Sequence, residues 1–160
     1  MTQQPGTESP YERMIGSFLI STDRAKLDIE EICRFLSRSY WADTRPREVT
    51  ERSIEHSLCF GVYRIDPCAV EAGSAVTRQV GFARVITDRA TFAYLCDVFV
   101  AEEVRGQGLG KRLVEAILDH PDLQGLRRWL LATGDAHGLY RQFGFTLISK
   151  PERWMEKFEL

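Results

Sequence analysis

Apolar residues recur along the chain at two spacings, and the spacing names the element. After Asp28, the residues Ile29, Ile32, Cys33, Phe35 and Leu36 fall three and four apart, which predicts a helix with one apolar face. The same spacing at Leu109, Leu113, Val114, Ile117 and Leu118 predicts a second amphipathic helix, stopped by Pro121. Pro46 restricts Arg45 to extended backbone and opens another helix running toward Ser57. Runs at 14–20, 58–65 and 79–86 read as strands, the first at an edge, and the small-residue stretch 66–78 as a long, mobile hairpin loop. Residues 91–100 are aromatic, β-branched and apolar on both alternating faces, as in a strand buried mid-sheet. A strong strand at 127–133, a short helix at 136–143 ended by Gly144, and closing strands at 145–149 and 154–158 complete the pattern.

This order predicts an α/β (mixed α+β) chain: a central, mixed and mostly antiparallel twisted sheet flanked by helices. A parallel crossover joins 91–100 to 127–133 through the helix between them. Residues 1–12, polar with two prolines, read as a disordered leader, and 13–160 as a single domain. With 44% hydrophobic and 28% charged residues the composition is that of an ordinary folded chain. A net charge of −2 repels phosphate backbones, so the expectation is no nucleic-acid partner, and a bound anion needs a local site. No apolar run reaches membrane-spanning length and no secretory signal opens the chain, so the expectation is no membrane and a cytoplasmic location. Cys33, Cys59, Cys68 and Cys96 form no CxxC pair and share no zinc-ligand spacing with His56, His120 or His137; they read as small buried thiols, with no metal expected.

Chemistry concentrates where glycines alternate at 106, 108 and 110, between a buried strand and a helix start. Backbone N–H groups there can converge on one anion, helped by the helix dipole and by Arg105, Lys111 and Arg112. A GxxxxGK[ST] cradle would need glycine at Arg105 and a hydroxyl at Arg112, and GxGxxG would need glycine at Lys111, so neither pattern holds. Close packing at a strand–helix turn is the competing explanation.

The runs Leu95-Cys96-Asp97-Val98-Phe99-Val100, Arg105-Gly106-Gln107-Gly108-Leu109-Gly110 and Ala136 to Phe145 resemble the GNAT superfamily of N-acetyltransferases. The family pattern Arg/Gln-x-x-Gly-x-Gly/Ala is satisfied at Arg105, Gly108 and Gly110. The resemblance implies acetyl-CoA as co-substrate. Its pyrophosphate would sit on Gly106, Gln107, Gly108, Leu109, Gly110 and Lys111, and its pantetheine arm on the backbone of Val98, Phe99 and Val100. The thioester would lie in a gap between splayed strands, with Thr133, Asp135 and Ala136 on the departing side. Thr133 stands where many relatives carry an asparagine, and Cys96 where many carry a glutamate.

Acetyl transfer to an amine needs a neutral nucleophile, a polarised carbonyl and a proton for the thiolate. The resemblance places Tyr140 where the thiolate leaves, as general acid; a core aromatic is its alternative. Asp97 is the candidate base, or else a carboxylate paired with an arginine such as Arg84. Tyr40 and Trp41 fall where relatives face the acceptor, and with Asp97 below them would favour a small cationic or aromatic amine over an anionic acceptor; core filling is the other reading. His137 lies one helical turn before Tyr140 and either tunes it or is exposed. The expected activity is transfer from acetyl-CoA to a primary amine of a small molecule in a ternary complex, in a chain that can form a homodimer. Alternatives are a protein or peptide acetyltransferase and a non-catalytic acyl-CoA sensor.

Overall fold

The computed structural model describes residues 9–71 and 77–159. Six strands form one sheet in sequence order: β1 (Glu12–Ile15), β2 (Phe18–Ser21), β3 (Leu58–Ile65), β4 (Thr77–Thr87), β5 (Phe92–Val100) and β6 (Arg128–Leu131). Pairing is antiparallel through β5, and β6 joins β5 in parallel. The helices are α1 (Ile29–Leu36), α2 (Arg47–Glu55), α3 (Pro67–Glu71), α4 (Leu109–Leu118) and α5 (His137–Arg141). The Asp28 side chain caps α1 by accepting from the Glu31 N–H at 3.0 Å.

Each face of the sheet buries one helix layer. Leu109, Leu113, Val114 and Ile117 of α4 pack with Phe60, Val62, Ala93 and Leu95 on one face. Ile32 and Leu36 of α1 and Ile54 of α2 pack with Cys59, Phe82 and Phe99 on the other, where Phe35 and Phe99 stack at 3.7 Å between ring centroids. The two layers need different side chains of β5 to face opposite ways, and a register shift opposite Phe82–Arg84 changes the phase. Asp97 sits at this bulge with φ of 52°, left-handed backbone that a short polar residue tolerates better than a branched one. Before the bulge Ala93 and Leu95 face α4; after it Phe99 faces α1.

Several sequence expectations change. The run 14–20 is a hairpin rather than one strand, its turn at Gly16 with φ of 56°, because its apolar residues straddle the turn. Residues 1–8 of the expected leader lie outside the described residues. Of its remainder, Tyr11 packs against Phe60 and His120 and Glu12 opens β1. The loop expected at 66–78 contains α3, and its residues 72–76 lie outside the described residues. The closing strands expected at 145–149 and 154–158 are absent among the described residues. Residues 145–149 share a cavity wall with β6 without pairing to it, Trp154 lies under the Arg128 guanidinium, and Leu147, Met155 and Phe158 are exposed. Their apolar residues fit a strand, but neither segment pairs with the free edge of β6.

Candidate active site

β5 and β6 pair only as far as Leu95 and Leu131. Beyond that point the bulge at Asp97 turns β5 away, and the two chains diverge around a gap with a cavity on each side. One cavity, about 520 Å³, is lined by Val98, Phe99, Val100, Arg105, Gly110 and Leu139. The other, about 410 Å³, is lined by Arg45, Arg84, Tyr94, Cys96, Asp97 and Thr133. Tyr40, Trp41, Val98, Ala136 and Tyr140 border both. Tyr94 and Cys96, expected to be buried mid-sheet, are half-buried because this second cavity lies over them.

Arg105 and Gly110 bring the glycine segment to the first cavity. Gly106 and Gly108 adopt φ of 79° and 75°, a backbone region that residues with a Cβ rarely enter, and a Cβ built on either would meet nothing within 4 Å. The space above them is therefore open. Gly108 caps α4 without a side chain to accept its first N–H groups. Those orphan donors and the positive end of the helix dipole face outward together, which suits a diphosphate. Leu109 contributes backbone alone, since its side chain is buried in the core. Lys111 is exposed, Arg112 is paired with Glu115 at 2.9 Å, and Arg105 donates from Nε to the Val100 carbonyl at 3.0 Å. Gln107 is exposed at the same turn.

Tyr140 is held by α5, with its ring buried and edge-on to Phe145 at 5.9 Å. Burial, with smaller contributions from Asp135 and Tyr40, pushes its phenol up to about 12. It stays protonated across the neutral range. Thr133 accepts from the Ala136 N–H at 3.0 Å, so its hydroxyl oxygen organises the turn carrying Asp135 and Ala136. Tyr40 spans the gap between the strand ends, accepting the Gly134 N–H at 2.9 Å; a side chain at 134 would crowd that hydroxyl at 3.1 Å. Tyr40 and Trp41 meet edge to face at 4.9 Å and are both exposed, so they wall the cavities rather than fill the core.

Asp97 is the most heavily engaged group. Its Oδ2 accepts from Arg45 Nη1 at 2.7 Å and Arg84 Nε at 2.9 Å, and its Oδ1 from Arg45 Nη2 and Trp41 Nε1, both at 3.2 Å. Burial alone would raise the carboxyl, but the Arg45 hydrogen bonds and the Arg84 charge outweigh it and hold the group below its ordinary value. The pairing with Arg84 weighed from sequence is thus present, and Arg45 doubles it. A carboxylate so saturated cannot also hold a cationic amine, so Asp97 is not itself the group that would bind one. Arg45 went unnoticed in the sequence except as the residue before Pro46. The available signal was that a carboxylate within an apolar strand needs more than one partner. Burial pushes the neighbouring Cys96 thiol up to about 11, leaving it protonated and unreactive. His137 is exposed. Among the described residues no cluster of His, Cys, Asp and Glu could hold a metal ion, and no helix is long and apolar enough to cross a membrane.

Comparison with known proteins agrees with this geometry. Residues 62–147 match the family model described as acetyltransferase (GNAT) domain. The chain is 35% identical over 137 residues to a Gibberella zeae protein named "Putative acetyltransferase FG08082", covering 78% of this chain and 76% of that one. A crystal structure from Xanthomonas campestris pv. campestris, described as a "putative acetyltransferase belonging to the gnat family", is 50% identical with a TM-score of 0.79, over 89% of this chain and 93% of that one. N-acetylglutamate synthase from Neisseria gonorrhoeae, complexed with coenzyme A and N-acetyl-glutamate, shares the fold at 19% identity and a TM-score of 0.60, over 87% of this chain and 30% of that one. A splayed parallel strand pair, an uncapped glycine turn and the matched family model together establish that this chain belongs to the GNAT superfamily and is an acyltransferase.

Proposed function

We propose that this acyltransferase moves the acetyl group of acetyl-CoA to a primary amine of a small molecule, by direct attack while both substrates are bound. The observation that carries this reading is the pair of cavities meeting at Tyr140. The glycine turn at 106–111 would hold the pyrophosphate and the backbone of Val98 to Val100 the pantetheine arm. When bound, acetyl-CoA supplies the thioester that the amine attacks. The second cavity, at about 410 Å³ and walled by aromatic rings, has the size of a small-molecule site rather than a groove for a protein segment.

In the transfer the ammonium first loses a proton to water; the neutral amine then forms the C–N bond as the C–S bond breaks, the new amide nitrogen gives its surplus proton to water, and the departing sulfur takes up a proton from water. In this reading Tyr140, at the border of both cavities, donates toward that sulfur. An alkyl thiol ionises near 8.5, so complete transfer from a phenol raised to about 12 is uphill by roughly 5 kcal/mol at 1.36 kcal/mol per unit. Tyr140 therefore acts by donating a hydrogen bond to the developing thiolate. Asp97, held ionised between two guanidiniums, positions the Arg45 and Trp41 segment, and water takes the amine proton. Tyr140→Phe should lower kcat by ~100–1,000-fold, the lower half of the range for acid–base groups, and leave the KM for acetyl-CoA within about twofold. Near wild-type turnover would remove Tyr140 from the mechanism, and acetyl-CoA binding without thiol release to any amine would favour the sensor alternative.

A second copy of this chain is the proposed macromolecular partner. The exposed edge strand β6 and the unpaired apolar tail from Trp154 to Phe158 lie on one molecule, so a two-fold exchange satisfies both. Light scattering should give twice the chain mass, and the mass should halve in a Met155→Glu/Phe158→Glu variant. A monomer at micromolar concentration would refute this.

A further inference from the structure

Two guanidinium groups and one buried carboxylate meet in the second cavity, and the arithmetic of their charges and donors is incomplete. Arg45 directs two of its five N–H donors, those on Nη1 and Nη2, to Asp97. Arg84, itself buried, directs one from Nε to Asp97 and one from Nη1 to the Ser57 hydroxyl at 3.1 Å. Both arginines line the cavity wall, so donors remain on groups that border empty space. Arginine cannot shed its proton to relieve the imbalance. The cluster therefore keeps a net charge of +1 in a half-enclosed place. The other acidic side chain bordering the cavity, Asp135, is exposed on the β6 side of the gap and does not contact this cluster.

We propose that the acceptor is an amine that also carries a carboxylate, and that the carboxylate docks on Arg45 and Arg84 while the amine points to the gap beside Tyr140. This rests on the amine-transfer reading above and names its substrate class. Guanidinium offers parallel donors that match the two oxygens of a carboxylate, and the pairing is strengthened where water is excluded. A monoanion cancels the residual charge. A phosphate monoester, carrying about −1.5 to −2 at neutral pH, would overfill it beside Asp97. Asp135, on the opposite strand end, would draw the ammonium end of the same molecule toward the thioester, so the charge pattern across the cavity is dipolar.

Two measurements test the substrate class separately from the reaction. In the first, titration calorimetry on the coenzyme A-saturated protein measures a series of N-acetylated α- and ω-amino acids against their primary amides, with N-acetyl-2-aminoethyl phosphate as a phosphate probe. At least one acid should bind tenfold or more tightly than its own amide, and that ratio should fall to within threefold in Arg45→Gln. Arg45→Lys, which keeps the charge and loses the fork, should weaken the acid by three- to tenfold with little change for the amide, and it stands in if Arg45→Gln fails to fold. Every acid within threefold of its amide, a ratio unchanged in the variant, or tighter binding of the phosphate probe would each overturn the inference. In the second, thiol release is followed with the free amines. Faster turnover of neutral amines than of their acids overturns the inference and leaves amine acetylation standing. Acid-selective binding with no amine acetylated sustains the anion subsite and sinks the proposed reaction instead.

Discussion

Asparagine at position 97 tests the central electrostatic arrangement because it preserves shape and removes only charge. In the wild-type chain each carboxylate oxygen accepts two hydrogen bonds, four in all. An amide can offer only one oxygen. If its oxygen faces Arg45 Nη1 and Arg84 Nε, its NH₂ meets the donors Arg45 Nη2 and Trp41 Nε1; if it flips, the conflict moves to the other pair. Two of four bonds become donor-against-donor contacts in either orientation. A hydrogen bond to a charged group contributes about 1.5–3 kcal/mol and breaking a buried ion pair costs about 3–5 kcal/mol. The Arg45 side chain is 22% exposed and can turn toward water, whereas that of Arg84 is 10% exposed and cannot easily do so. The expected destabilisation is therefore near the lower end, about 3 kcal/mol, and a chain of this size shifts by about 2–4 °C per kcal/mol. Differential scanning calorimetry at pH 7 should show Asp97→Asn melting roughly 6–12 °C below the wild type. A Tm within 2 °C, accompanied by a large loss of kcat, would refute the reasoning and restore Asp97 as the base.

Gly108→Val should abolish acetyl-CoA binding by calorimetry while the fold survives, since a Cβ there meets nothing in the protein but occupies the mouth of the cradle and strains a φ of 75°; retained affinity would move the pyrophosphate elsewhere. Tyr40→Phe removes the bond to the Gly134 N–H. It should lower stability by only about 0.5–1 kcal/mol and change the acceptor KM more than that of acetyl-CoA, with equal KM effects counting against a place at the acceptor. Burial raises the Cys59 thiol to about 12 and the Cys96 thiol to about 11, from 9.0. Raised folded values mean that this stability is complete below pH 9 and is lost as pH climbs through 11 and 12. Urea midpoints should therefore fall steeply above pH 9, and less steeply in Cys59→Ala.

Helices α1 and α4 were legible because burial on one side writes a period into the sequence, and strands β3 to β5 because burial on both faces writes short, nearly continuous apolar runs; their observed limits fall close to both signals. The closing strands were misread for a related reason. Apolar residues record what a segment can pair with, and neither segment pairs with the free edge of β6. The glycine turn was legible at residue level because residues with a Cβ rarely enter positive φ, whereas Arg45 was not. Its partner Asp97 lies 52 positions away, and nothing local distinguishes it from a solvated charge.

The position of Asp97 joins these two kinds of information. A bulge requires one residue of β5 in left-handed backbone, and aspartate is among the few residues other than glycine that accept it. The same bulge ends the pairing of β5 with β6, and it brings the Asp97 carboxylate to the face where Arg84 and the loop after α1 can reach it. Strand divergence and charge placement thus follow from a single backbone conformation. Glycine at 97 would retain the splay and lose the anchor, whereas asparagine would retain backbone tolerance and half the hydrogen bonds. If the gap is set by backbone geometry, both variants should still bind acetyl-CoA, and their losses should fall on stability and on the acceptor KM. Loss of acetyl-CoA binding in the glycine variant alone would instead mean that the ion pairs, and not the bulge, hold the strands apart.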